Sequence, residues 1–135
     1  ELAQEAIALL AKPLQIRHPD WTADSRLPGG DIENGDFDGF LAQCRNKYAW
    51  LPDGLVEDYT RNYGTKISEL LSGCRNTKAL GQHFGGPLYE REVRYLMENE
   101  FARTAEDVLW RRSKKGLLIS PAAAADLDEW MATRQ

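Results

Sequence analysis

An all-α domain is the fold class this sequence predicts, and three observations predict it. Apolar residues recur at i, i+3, i+4 and i+7 through several segments. Gly, Pro and capping residues cut those segments apart, as tight turns between consecutive antiparallel helices require. No stretch alternates polar and apolar residues as a strand would. The expected architecture is a compact multi-helix domain of about six or seven helices, preceded by a long irregular connector.

The elements follow in order. Leu2, Ala3, Ala6, Ile7 and Leu10 have helical spacing, and Pro13 ends that helix. From Lys12 to Gly35 the period disappears among Pro13, Pro19, Pro28, Gly29, Gly30 and Gly35. A connection of that length is uncommon inside a compact unit. Residues 1–35 are therefore expected to be the end of a preceding domain plus a connector, and residues 36–135 the helical domain. Ile16, Trp21, Leu27 and Ile32 are the side chains that could pin the connector down. Pro28-Gly29-Gly30 marks a turn with a glycine at positive φ. A phosphate-cradling loop is disfavoured there, because no apolar strand precedes it and no lysine follows it.

Asp36 should cap a helix whose stripe is Phe37, Phe40, Leu41, Cys44 and Tyr48. Trp50, Leu51 and Pro52 make an apolar corner. A helix from about Asp53 to Tyr63 follows, closed by Gly64, and then a short one capped by Thr65 and ended by Gly73. Between Cys74 and Pro87 the pattern supports one helical turn at Ala79 and Leu80 and a loop forced by Gly81, Gly85, Gly86 and Pro87. Leu88 to Asn99 reads as helix, with Val93, Leu96, Met97 and then Phe101 on one side. Ser120 with Pro121 behind it is a strong start signal for a last helix that buries Leu127, Trp130 and Met131. Phe40, Leu41, Tyr59, Leu96, Val108 and Leu109 are expected in the core.

The most informative stretch is Phe101 to Leu117, FARTAEDVLWRRSKKGL. Thr104 is a good N-cap, and Asp107 three residues on is a short-armed capping box. Glu106 and Asp107 open the helix, and Arg111, Arg112, Lys114 and Lys115 close it, so both charge biases suit the helix dipole. Gly116 is expected as the left-handed residue that stops it. Arg112 continues the inward face of Ala105, Val108 and Leu109 and should lay its stem on apolar surface and find an acceptor, a last-turn carbonyl before a carboxylate of a neighbouring domain. Arg111, Lys114 and Lys115 should face solvent, free to meet another domain or an anionic membrane surface. These four basic residues are the candidate contact site.

That string resembles the C-terminal helical domain of the FAD-dependent, quinone-linked (aerobic) glycerol-3-phosphate dehydrogenases. The resemblance is specific over Ala102 to Gly116, extends to LPGGD at Leu27 to Asp31, and touches the opening ELAQEAIALL, which is similar to the last helix of the family's flavin domain. It implies oxidation of sn-glycerol 3-phosphate to dihydroxyacetone phosphate, with electrons passing to FAD and then to quinone. The family's flavin and substrate domains, which carry the catalytic residues, lie before the matched region. The resemblance therefore implies an accessory domain that is inactive by itself, with no catalytic, cofactor-binding or metal residue carried over. The implied partners are the flavin and substrate domains of the same chain, with a homodimer and peripheral membrane contact as further expectations for the full enzyme. The implied location is cytoplasmic, peripheral at the inner face of the cytoplasmic membrane.

Composition agrees with such a domain and removes other classes. With 135 residues, 42% hydrophobic and 28% charged, the chain can build one real core. No apolar run reaches the ~20 residues that cross a bilayer, and no leader pattern is visible. A net charge of −4 argues against a nucleic-acid partner. A helix-turn-helix made of the last two helices fails as well, because the final one begins PAAAADLDE with nothing to read bases. Cys44 and Cys74 are too few for a disulfide scaffold, and Cys44 falls on an apolar stripe. His18 and His83 stand in no metal-ligand spacing, and His83 in GQHFGG reads as a loop histidine bonded to backbone. A free-standing helical interaction module is the alternative reading of the whole.

Overall fold

The computed structural model describes residues 2–15 and 25–134. Six α-helices lie among the described residues: α1 (Leu2–Ala11), α2 (Phe37–Lys47), α3 (Asp53–Tyr63), α4 (Ile67–Leu70), α5 (Glu90–Asn99) and α6 (Pro121–Ala132). A π-helical segment, Asp107–Arg112, lies between α5 and α6. The pairs α2–α3, α3–α4 and α4–α5 pack in sequence order, and the π segment packs on α5. All share one core around Tyr59, Leu70, Val93, Val108, Leu127 and Met131, each at 0% exposure. No residue of α1 is buried, and its Leu2, Ile7, Leu9 and Leu10 are exposed.

Most of the expected start and stop signals are used. Asp36 Oδ1 accepts from Gly39 N at 2.9 Å and opens α2. Ser120 Oγ accepts from Ala123 N at 3.2 Å and opens α6, with Pro121 at its first position. Gly64 closes α3 at φ 51. That glycine has a second reason to be there: a Cβ would lie 2.0 Å from the Gly29 carbonyl oxygen. The Pro28-Gly29-Gly30 turn is seated on this junction, with Gly29 at φ 85 and its carbonyl accepting from Thr65 N at 3.1 Å.

Three local expectations are corrected, and the end of α4, followed by the left-handed Gly73 at φ 78 as expected, gains a partner. Thr65 does not cap α4; its hydroxyl donates to Asp31 and so ties the 27–31 turn down. The end of α4 is finished by Arg91, whose Nε donates to the Leu70 carbonyl at 2.5 Å and whose Nη2 reaches those of Glu69 and Ser72. A guanidinium is well placed there, where a helix leaves carbonyls unpaired. The loop before Pro87 and the expected first turn of α5 instead form an antiparallel hairpin, β1 (His83–Gly85) and β2 (Leu88–Tyr89). Strands of three and two residues cannot show alternation, so the sequence pattern was silent about them. Phe101 leaves the apolar side of α5 altogether: it is 79% exposed, at φ 58.

Within the expected core, Leu41, Tyr59, Leu96, Val108 and Leu109 are buried and Phe40 is half-buried. Cys44 is a buried core residue, as its stripe position implied. Of the expected connector anchors, Ile32 is half-buried and Leu27 is exposed. Ile16 and Trp21, like His18, lie outside the described residues.

Candidate interdomain site

The helix that carries the basic cluster begins on a closed ring of hydrogen bonds. Asp107 Oδ2 accepts from Arg103 N at 3.0 Å, Thr104 N at 3.1 Å and Thr104 Oγ1 at 3.1 Å, while Thr104 Oγ1 accepts from Asp107 N at 3.2 Å. This is the capping box the sequence proposed. The Arg103 N–H is the largest influence holding the Asp107 carboxyl down to about 2; burial opposes it, and the hydrogen bonds from Thr104 and Arg111 add to the lowering. Ala105 N donates to Asp128 Oδ1 on α6 at 2.9 Å, which fixes the helix start to the last helix of the domain.

The other end differs from expectation. Ser113 donates to the Val108 carbonyl through its N–H at 2.9 Å and its hydroxyl at 2.7 Å, five residues back, and this closes the segment in π geometry. Lys114, not Gly116, takes the left-handed conformation, at φ 60. Gly116 is needed for packing instead: a Cβ there would sit 2.3 Å from Trp110 Cε2.

The left-handed turn at Lys114 drives Lys115 into the core. Its ammonium lies 2.5 Å from both carboxylate oxygens of Glu92 and 2.8 Å from Asp58 Oδ2, above the ring of Tyr59. The Asp58 contact is an attraction of charges without hydrogen-bond alignment, since Oδ2 accepts no aligned hydrogen bond. Tyr63 OH donates to Glu92 Oε1 at 2.7 Å. Burial pushes the Glu92 carboxyl up, opposed by the Lys115 ammonium and the Tyr63 hydroxyl. Burial and then the Glu92 charge push both the Tyr59 and Tyr63 hydroxyls up, which keeps both neutral; Tyr63 donates to Glu92, while the buried Tyr59 hydroxyl has no hydrogen-bond partner among the described residues.

The four candidate contact residues therefore do not form one surface. Lys115 is 2% exposed and is withdrawn from the candidate site. Arg111 faces solvent but is engaged by Asp107 at 2.7 Å and Glu106 at 3.1 Å. Arg112 finds the expected kind of acceptor, the Glu100 carbonyl at the end of α5, at 3.0 Å, though its side chain stays exposed. Lys114 is exposed. His83 also meets its plain expectation, with Nε2 2.8 Å from the Gly86 carbonyl and the ring stacked on Tyr89.

Two exposed features depart from the sequence reading, in which Trp110 widens the apolar side of its helix and Leu117, Leu118 and Ile119 form an apolar bridge. Trp110, Leu117 and Leu118 stand out of the turn that Lys115 anchors, at 47%, 84% and 63% exposure. A groove of about 290 Å³ runs between the end of α5 and the end of α6, lined by Arg94, Met97, Phe101, Arg103, Trp130 and Arg134. The Arg94 and Arg134 guanidiniums both lie over the Trp130 ring, at 5.2 and 4.1 Å. The signal that could have found the groove is the arginine spacing around Phe101, but helical periodicity assigned that phenylalanine to the core.

The described residues do not fit a flavin dinucleotide. Such a group needs glycine N–H groups at a strand-to-helix turn to cradle its phosphates. Residues 25–27, the described residues just before the turn at Gly29 and Gly30, form no strand, and the Gly29 carbonyl is packed on Gly64 and bonded to Thr65. No group of three or more His, Cys, Asp or Glu side chains among the described residues could hold a metal.

A family model described as the C-terminal domain of alpha-glycerophosphate oxidase matches residues 21–133. The chain is 42% identical over 130 residues to D-erythritol 1-phosphate dehydrogenase of Brucella abortus, covering 96% of this chain and 26% of that protein. It is 41% identical to glycerol-3-phosphate dehydrogenase of Pseudomonas aeruginosa and 37% identical to aerobic glycerol-3-phosphate dehydrogenase of Escherichia coli, in each case over 97% of this chain and 25% and 26% of the relative. The chain thus spans about a quarter of the length of these relatives. A mostly helical domain whose residues 21–133 match the family model belongs to the family of C-terminal domains of alpha-glycerophosphate oxidase.

Proposed function

We propose that this chain is the accessory C-terminal domain of an FAD-dependent dehydrogenase acting on sn-glycerol 3-phosphate. In the whole enzyme the secondary alcohol is oxidised to the ketone of dihydroxyacetone phosphate, and two electrons go to FAD and then to a membrane quinone. FAD and the reacting groups belong to the rest of the polypeptide. The observation that carries this reading is the match over residues 21–133 to a domain family named for its C-terminal place in a glycerophosphate oxidase. The packing of the Gly29 turn on Gly64 and Thr65 supports the division of labour, because that turn serves the domain's own structure. A cytoplasmic location with peripheral contact at the inner face of the membrane belongs to the same reading, and no described helix is long and apolar enough to cross a membrane. A homodimer of the full enzyme completes it.

The 42% identity to a D-erythritol 1-phosphate dehydrogenase favours a second reading, in which the substrate is the longer polyol phosphate. The test assays the full-length protein with each phosphate and an artificial quinone while recording its flavin absorbance. Turnover of glycerol 3-phosphate by a yellow protein is the expected result. A colourless full-length protein would overturn the flavin assignment, and turnover of only the erythritol phosphate would overturn the substrate.

A further inference from the structure

Residues 79–89 and 116–125 contain no Asp, Glu, Lys or Arg, in a chain that is 28% charged. The two stretches are well separated in sequence, yet the fold brings them together. A Cβ at Gly86 would lie 3.3 Å from Leu118 Cβ, and one at Gly85 would lie 3.6 Å from Ile119 Cδ1 and 3.9 Å from Ala123 Cβ. At the same place α6 packs on β1. Phe84, Leu88 and Ile119 turn into the core, which accounts for part of the missing charge. The remainder faces outward, for Gly86, Leu117, Leu118, Pro121, Ala122 and Ala125 are all exposed. Trp110 borders them, with its exposed indole laid against Gly116. Beneath this edge the buried Lys115 holds the turn in place through Glu92. A rigid, uncharged face with an aromatic at its border has the composition of a permanent protein interface, whose centre is depleted of charge.

We infer that this face is covered by the part of the same polypeptide that precedes residue 21, with apolar side chains of that part packed on Trp110, Leu117 and Leu118. The small residues of α6, Ala122 and Ala125, let its backbone come close. The source is assigned to the same polypeptide because this chain spans only about a quarter of its relatives, and the family that matches from residue 21 is named for the C-terminus. A lipid surface would favour Lys or Arg among the apolar side chains, and the two stretches hold none. A second copy reaches the face only by encounter, whereas a segment of the same polypeptide is held beside it at high effective concentration. This inference rests on the proposed function only in taking the chain to be the C-terminal domain of a longer protein.

The experiment places p-benzoylphenylalanine at position 117 of the full-length protein and irradiates it with and without anionic phospholipid vesicles. Leu117 is 84% exposed, so the larger aromatic leaves the core untouched, and unchanged melting checks this. The same probe at position 122, exposed in the first turn of α6, repeats the measurement if melting falls. The expected result, vesicles or not, is a cross-link within one chain to a peptide before residue 21. Introducing Leu118→Asp should lower that yield about fivefold or more, because it sets a carboxylate against apolar surface with nothing to pair it. A cross-link between two copies, a cross-link to lipid alone, a yield unchanged by Leu118→Asp, or no cross-link at all would each overturn the proposal. Flavin absorbance and glycerol 3-phosphate oxidation are read on the same preparation. Absence of those with the cross-link present counts against the enzyme assignment alone.

Discussion

Lys115 and Glu92, 23 positions apart, meet inside the core with the ammonium 2.5 Å from both carboxylate oxygens and side-chain exposures of 2% and 0%. Desolvating such a pair costs nearly as much as the attraction returns, so the pair contributes little net stability. What it does fix is position. It joins the first turn of α5 to the turn after the π segment, and so decides that Leu117 and Leu118 face outward. Removing one partner is a different matter, because the other is then buried without its counter-charge. Lys115→Met should destabilise the domain by about 3–5 kcal/mol in denaturant unfolding. Lys115→Met combined with Glu92→Leu should recover a large part of that loss. If the double variant is as unstable as the sum of the two single ones, the two residues are not coupled and this account fails.

Position 116 gives the next prediction. The Cβ of Gly116→Ala would lie 2.3 and 2.4 Å from two ring atoms of Trp110, so the indole must swing away. A loss of about 1–3 kcal/mol is expected, accompanied by a shift in tryptophan emission. Lys114→Gly should do the reverse and stabilise by about 0.5–1 kcal/mol, because glycine takes φ 60 without strain. If Gly116→Ala has no effect while Lys114→Gly destabilises, the left-handed residue has been misplaced.

These two positions show what the sequence could and could not convey. The capping box at Thr104 and Asp107, the caps at Asp36 and Ser120 and the turn at Gly29 were legible because each needs only local chemistry. Lys115 was not. Its burial depends on a left-handed turn at Lys114 and on a carboxylate that sequence places 23 residues earlier. A run of basic residues at a helix end reads as solvated unless that long-range pairing is known. Phe101 failed for a related reason: its spacing continues the stripe of α5, but the helix ends before reaching it. Three of the four candidate contact residues stayed at the surface, each with its role set by a neighbour the local pattern only partly named.

The Asp107 carboxyl supports a pH prediction whose sign can be fixed. Its folded value is about 2, below the ordinary 3.8, so the folded state favours the charged form. The resulting stabilisation is complete above the ordinary value and is lost as pH falls towards about 2. Asp107→Asn should therefore unfold at lower denaturant than the parent at neutral pH. The difference should begin to shrink below about pH 4 and vanish near pH 2. A difference that stays constant down to that pH would mean the hydrogen bonds matter and the charge does not.

Leu109 lies 3% exposed on the inward side of the same segment, beside Val108 at 0%. Leu109→Ala should cost about 2–5 kcal/mol, since the surrounding core can collapse only partly around the space left. A loss under about 0.5 kcal/mol would put the wrong face of the segment inward.

The adjacent arginines 111 and 112 should separate in the opposite order from their apparent number of contacts. Arg111 makes two ion pairs, with Asp107 and Glu106, but its side chain is 59% exposed and Asp107 keeps its three other donors without it. Exposed pairs of this kind are worth under about 1 kcal/mol and weaken in salt. Arg112 makes a single hydrogen bond, from Nε to the Glu100 carbonyl at 3.0 Å. That carbonyl sits at the residue closing α5, immediately before the left-handed Phe101, so Arg112 holds the π segment against the end of α5. A hydrogen bond from a charged donor is worth about 1.5–3 kcal/mol where water is excluded and less where, as here, the donor is exposed. Arg112→Ala should accordingly lower stability by about 1 kcal/mol, and Arg111→Ala by about 0.5 or less. Adding salt should shrink the Arg111 effect and leave most of the Arg112 effect. Thermal melts of both variants at low and high salt provide the measurement. A larger loss for Arg111→Ala than for Arg112→Ala would show that the helix surface, and not its tie to α5, is what the pair of arginines protects.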